Sequence, residues 1–255
     1  MPSALESPFP DSGSDKAVVH TVFYVSTAAF AVTLIGGLGA LHLRRQKALV
    51  YAFCSGALIG AAVISLLPDA RTLLEQSDSR LPSDLVWLVC ALGFLFFYLF
   101  ERDTHDGETS ARLAGLGGAL GVATHSFFDG VVIGQGFQAG EKIGFALAVA
   151  VLLHKLADGV SAVGVMLGTE HSVAETKMLL VITAVAPAVG AVAQSFLVLP
   201  SSLLALLLSW FAGMFLYLGA GRLLPEARQA STSLATPTLS LLGIAIAYIA
   251  HRLSH

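Results

Sequence analysis

The segments His125-Ser126-Phe127-Phe128-Asp129-Gly130-Val131 and His154-Lys155-Leu156-Ala157-Asp158-Gly159-Val160 share the pattern H-x-x-x-D-G-V. Each lies near the middle of a long apolar run. Residues four apart in a helix sit on one face, one turn above the other. Each segment therefore projects an imidazole and a carboxylate in the same direction. Two such helices facing one another gather two neutral nitrogens and two anionic oxygens, a complete ligand set for a divalent transition metal. A single buried His is more often hydrogen-bonded packing than a ligand, and a His–Asp pair can be a private hydrogen bond without metal. The pattern occurs twice at identical spacing, which favours the metal.

The elements that must position these groups are apolar enough to lie in a bilayer. Of 255 residues, 55% are hydrophobic and 12% charged, with a mean hydropathy of +0.78. A soluble domain carries about 25% charge. Roughly 20 apolar residues cross the hydrocarbon, and eight segments approach or exceed that length, near 18–43, 48–70, 84–101, 113–138, 142–167, 178–199, 201–224 and 238–253. The expectation is an all-α polytopic membrane protein with eight transmembrane helices. Residues 1–16 read as a disordered extracytoplasmic tail, and 17–255 as one eight-helix transmembrane domain. The tail has neither the basic start nor the short apolar core of a secretory signal, so the first apolar segment is expected to remain as a span. The net charge of -3 and the lack of a basic, aromatic-interleaved patch argue against nucleic-acid binding. Cys54 and Cys90 lie inside apolar runs and read as small buried hydrophobes rather than a disulfide.

Lys and Arg set the orientation. With the amino terminus outside, Arg44, Arg45, Lys47, Arg102, Arg112, Lys177, Arg222 and Arg228 fall inside, against Lys16, Arg71, Arg80, Lys142 and Arg252 outside. Both termini are then extracytoplasmic.

An Asp at a helix centre costs about 2.5–3.5 kcal/mol on insertion scales, and ionisable groups at that depth mark ion paths or proton relays. The connection Ala139-Gly140-Glu141-Lys142 is too short for anything but antiparallel neighbours. His125 and His154 each stand about a dozen residues from the start of their span, so at about 1.5 Å per residue all four side chains reach a similar depth. The His of one helix should meet the Asp of the other in a roughly two-fold arrangement. Lys155 points about 100° away from His154; it either balances the charge of Asp129 or Asp158, or occupies the place of a second cation. Leu-Leu-Pro-[DE]-Ala ends the second span at Asp69 and the seventh at Glu226. Both acids read either as helix ends meeting water or as a metal entrance and exit. Pro187 should kink the sixth span.

At these residues the chain resembles the ZIP (Zrt/Irt-like) family of metal transporters. His125-Ser-Phe-Phe-Asp129-Gly-Val-Val-Ile-Gly134 is similar to that family's fourth-helix signature, H-[NS]-x-x-[DE]-G-x-x-[IL]-G. Leu67-Pro68-Asp69-Ala70, Ala91-Leu-Gly93 through Glu101, and Ala212-Gly213-Met-Phe-Leu-Tyr217 resemble family patterns as well. The resemblance implies a ZIP-like bundle with its metal site between helices 4 and 5. It also implies uptake of divalent metal toward the cytosol through a cell (plasma or inner) membrane, and a homodimer. The cargo would be Zn²⁺ first, with Fe²⁺, Mn²⁺ or Cd²⁺ as alternatives, and no cofactor serves as a catalyst. By motif position, His125 and Asp129 would be ligands from the fourth helix, and His154 and Asp158 from the fifth. Ser126 stands where an Asn often adds an oxygen.

The fifth helix departs from the family pattern H-E-x-[PG]-[HE]-[EL]. Lys155 replaces a carboxylate that helps hold a second metal in binuclear members, so one transport metal is expected, with the ammonium standing in for the other. The missing Pro removes the reason for a kink there. The loop at 102–112 has one His, His105, rather than a His-rich run, which argues against metal sensing. The rival reading is an intramembrane metal-dependent hydrolase. It needs an open coordination position and a separate acid or base, whereas four ligands close a tetrahedral shell and the spare group at that depth is Lys155.

Overall fold

In lipid every backbone polar group must be satisfied within the segment, so apolar runs of this length are driven into helices. The computed structural model describes residues 12–103, 108–139, 141–169, 171–194, 196 and 199–254. Among them the regular structure is entirely helical. The helices are α1 (Ser12–His42), α2 (Lys47–Gly60), α3 (Leu67–Glu75), α4 (Leu85–Asp103), α5 (Glu108–Ala139), α6 (Glu141–Leu167), α7 (Val173–Ala193), α8 (Ser201–Leu216), α9 (Leu224–Ala230) and α10 (Ala235–Ser254). Six stretches among the described residues are long and apolar enough to cross a membrane: Thr21–His42, Arg44–Glu75, Gly115–Phe137, Leu147–Leu167, Val173–Ala193 and Ser201–Ala230. The shorter apolar helix Leu85–Leu99 stands where a third span is expected, and α10 covers the expected eighth. Helix α1 reaches back to Ser12, into the stretch read as a tail; residues 1–11 of that tail, and His105, lie outside the described residues.

Two of the spans contain a widened turn. The chain is π-helical over Ala61–Leu66 and again over Tyr217–Leu223, and α3 and α9 each carry the motif proline in their first turn. Proline has no N–H to give the carbonyl four residues back, and its ring crowds that carbonyl. A wider turn relieves the clash without ending the helix. The sequence places the ends of the second and seventh spans near residues 70 and 224; the helices continue past them to Glu75 and Ala230. Helix α7 likewise runs through Pro187 as one element, and α6, which lacks the family proline, is unbroken from Glu141 to Leu167.

The helices sort into two packing groups. Helices α1, α5, α6 and α7 pack mainly on one another, as do α2, α3, α4, α8, α9 and α10, and α6 meets the second group through α2 and α10. Glycines of the paired motifs fix the first group. A Cβ on Gly130 would overlap the Pro187 carbonyl of α7, and one on Gly159 would overlap the Thr33 carbonyl of α1. Small residues let membrane helices approach this closely. Helices α5 and α6 are thus each clamped from behind while facing one another.

One end of this group is tied by polar contacts. Ser172 caps α7 by accepting from the Glu175 backbone N–H at 3.2 Å, and Glu175 accepts from the Ser172 N–H at 2.7 Å, a capping box. Glu175 also pairs with Arg112 of α5. His171 Nδ1 meets Thr169 Oγ1 at 2.9 Å, and partial burial, reinforced by the Arg112 guanidinium, holds that imidazole below the usual histidine range.

Candidate metal centre

Helices α5 and α6 pack antiparallel and bring both repeats to one depth. His125, Asp129, His154 and Asp158 each offer a ligand atom, and the four atoms lie within 4.8 Å of one another. His125, Asp129 and Asp158 are buried, at 1%, 6% and 3% exposure, while the His154 side chain keeps 24%. His154 and Asp158 border a narrow cleft between α6, α2 and α10, lined by the small residues Ala57, Ala61, Gly243 and Ala247.

The oxygen Asp129 Oδ2 is the hub. His154 Nε2 stands 3.4 Å from it and His125 Nε2 3.5 Å. Lys155, with no exposed surface, places its Nζ 2.5 Å from the same oxygen and 2.6 Å from Asp158 Oδ2, and donates to Ser126 Oγ at 3.0 Å. Ser126 Oγ in turn lies 3.5 Å from Asp158 Oδ2. The sequence leaves open whether Lys155 serves Asp129 or Asp158; the ammonium bridges both. The two repeats are therefore not used alike, and the expected two-fold arrangement is only approximate. Both imidazoles converge on Asp129, whereas Asp158 faces Lys155 and Ser126.

The His125 ring is held by its neighbours in the second group. Phe215 and Phe211 of α8 stand 4.8 and 5.6 Å from it, ring centre to ring centre. His125 Nδ1 is buried with no hydrogen-bond partner. Aromatic packing, rather than the usual second-nitrogen hydrogen bond, orients this imidazole. Nothing in the local motif signals these contacts, which join residues far apart in the chain.

Asp69 and Glu226 are half-buried and lie outside the cluster. Because α3 packs on α8 while α9 packs on α2, the two acids stand at opposite ends of the antiparallel pair of spans. Glu226 accepts from Arg222 Nε at 3.3 Å. Cys54 and Cys90 are both buried and free.

Two ionised carboxylates and one ammonium leave the buried cluster one negative charge when both imidazoles are neutral. A site of this composition, in helices apolar enough to cross a membrane, defines a polytopic membrane protein suited to handling a divalent cation. The sequence model of the family described as ZIP Zinc transporter matches residues 102–250, more than half of the chain and including both repeats. The chain belongs to the ZIP zinc transporter family, whose members move divalent metals and are transporters rather than enzymes. A search of curated proteins returned no match.

Proposed function

We propose that this protein carries Zn²⁺ toward the cytosol, one ion at a time, through a site formed by His125, Asp129, His154 and Asp158. The observation that carries the reading is the gathering of these four ligand atoms within 4.8 Å, from two adjacent helices, at a buried position. Two nitrogens and two oxygens suit tetrahedral zinc, with Cd²⁺, Fe²⁺ and Mn²⁺ as weaker alternatives. Lys155 stands in for a second metal: its ammonium bridges the two carboxylates as a second cation would, with Ser126 anchoring it. The site is then single-metal, and a tethered positive charge limits how tightly the ion is held, which helps release.

His154 opens to the small-residue cleft between α6 and the α2–α10 pair, so the seam between the two helix groups is where exposure must alternate. Asp69 serves one mouth and Glu226 the other. We further propose eight spans, α4 and α10 included, in a single domain covering residues 17–255. Both termini are extracytoplasmic in a plasma or inner membrane, and the unit is a homodimer. The last points follow from the charge bias and from the family resemblance.

The test is metal flux into proteoliposomes containing the purified chain. Zinc accumulation driven by an imposed gradient is expected. Zinc-dependent turnover of a lipid or peptide without flux would overturn the reading in favour of a hydrolase.

A further inference from the structure

Beyond the paired motifs, helix α6 carries a stripe that the His/Asp cluster does not use. His154, Asp158, Ser161, Gly164 and Gly168 follow at intervals of three or four residues and so share a face. Ser161 is completely buried, and its hydroxyl makes no hydrogen bond to the backbone. It borders the same cleft as His154 and Asp158, with the Cys54 thiol of α2 beside it. Cys54 is fully buried, stands against Gly164, and donates its S–H to the Val160 carbonyl at 3.3 Å. Farther along, Gly168 faces the Glu226 carboxylate. At about 1.5 Å per residue, Asp158 and Gly168 are about 15 Å apart along the helix, and the Cys54 level divides that distance roughly in half.

We propose that Cys54 and Ser161 form a transient metal station between the His/Asp cluster and Glu226, which takes a thiophilic divalent cation through sulfur and hydroxyl oxygen. The inference rests on the reading of this chain as a divalent-metal conduit. A divalent ion leaving Asp158 for Glu226 cannot cross that interval bare, because desolvated charge without ligands is far too costly. Cys54 and Ser161 supply the polar atoms at the midpoint. Sulfur is a soft donor, suited to Zn²⁺ and Cd²⁺ and poorly suited to Mn²⁺. On arrival the ion replaces the thiol proton now given to Val160, and that proton leaves toward the Glu226 end. Both groups are sealed here, so the station opens only when α6 shifts against α2 and Gly164 draws away from Cys54.

The test uses the 255-residue protein, whose two cysteines are Cys54 and Cys90. On titration with Cd²⁺ in detergent, a sulfur-to-cadmium charge-transfer band is expected in the parent and in Cys90→Ala, and is lost in Cys54→Ser. In proteoliposomes the Cd²⁺-to-Mn²⁺ flux ratio of Cys54→Ser is expected to fall about fivefold, with Ser161→Ala shifting it in the same direction. A parent protein without the band, a band that survives Cys54→Ser, or an unchanged flux ratio overturns the station. Equal loss of both fluxes in Cys54→Ser and Cys54→Ala also overturns it, since the thiol would then be packing alone. Failure of the transport reading looks different: the parent itself moves no metal in vesicles, whatever the absorption shows.

Discussion

Lys155 Nζ lies 2.5 Å from Asp129 Oδ2, the same oxygen that both His125 and His154 approach. A fully buried ammonium thus occupies the electrostatic centre of a cluster that includes the four candidate metal ligands. Its presence keeps two buried carboxylates from facing one another uncompensated, which would cost several kcal/mol.

Replacing Lys155 by Met keeps the volume and removes the charge. The metal-free variant is expected to be less stable than the parent by about 3–5 kcal/mol. Zinc should restore most of that loss, because the site now carries two negative charges for two positive ones. Thermal unfolding of both proteins with and without zinc checks this. Equal stabilisation by zinc in the two proteins would contradict the ammonium's role.

His154→Ala and Asp129→Ala each remove one of the four proposed ligands. Zinc flux in vesicles is expected to fall by at least about tenfold in either variant, in line with losing a metal–ligand bond or its orienting partner. Uptake equal to the parent in both would remove the cluster from the transport path.

Zinc binding should weaken in acid. A ligating imidazole must be neutral, so each proton held by His125 or His154 has to be displaced by the metal. The dissociation constant is expected to rise as pH falls, on the order of tenfold per pH unit for one displaced proton. Competition with a chelating dye between pH 7.5 and pH 5.5, about two units, resolves the slope. A flat profile would indicate that the carboxylates hold the metal without the imidazoles.

Gly130→Ala and Gly159→Ala test the clamp on the site helices. Each added methyl meets a carbonyl oxygen of a neighbouring helix rather than a yielding side chain. Overpacking of this kind costs about 1–3 kcal/mol or more. Lower unfolding temperatures in detergent are expected for both, with zinc affinity falling as α5 is displaced from α7 and α6 from α1 and the ligand geometry is disturbed. Alanine at Gly39, which has open space around it, is the control and should be neutral.

Helical period alone was enough to pair His125 with Asp129 and His154 with Asp158, because four-residue spacing sets a shared face. The short link after Ala139 was enough to oppose them. What the period could not convey is how three nitrogens divide two carboxylates. That depends on the rotamer of Lys155, held by Asp129, Asp158 and Ser126, and on the rotation of α5 and α6, held by the approach of Gly130 and Gly159 to the Pro187 and Thr33 carbonyls of other helices. The aromatic seat of His125 was equally hidden, since Phe211 and Phe215 lie some 90 residues away in the chain. The proline motifs were visible, but the backbone around them was not: the chain passes through a π turn just before Pro68 and another just before Pro225 and runs on as helix. Ser161 follows the same stripe as His154 and Asp158, a signal present in the sequence and overshadowed by the charged groups before it.

The two π turns have a thermodynamic consequence. Each opposite end of the bundle carries the same device, a widened turn, a proline and then an acid, so neither end is built as a one-way valve. A carrier of that kind has no intrinsic arrow; net movement follows the electrochemical potential of the ion. For a divalent cation the membrane voltage alone contributes about 4.6 kcal/mol per 100 mV toward the negative side. Reversing the imposed gradient and voltage in vesicles should therefore make the same molecule run backwards.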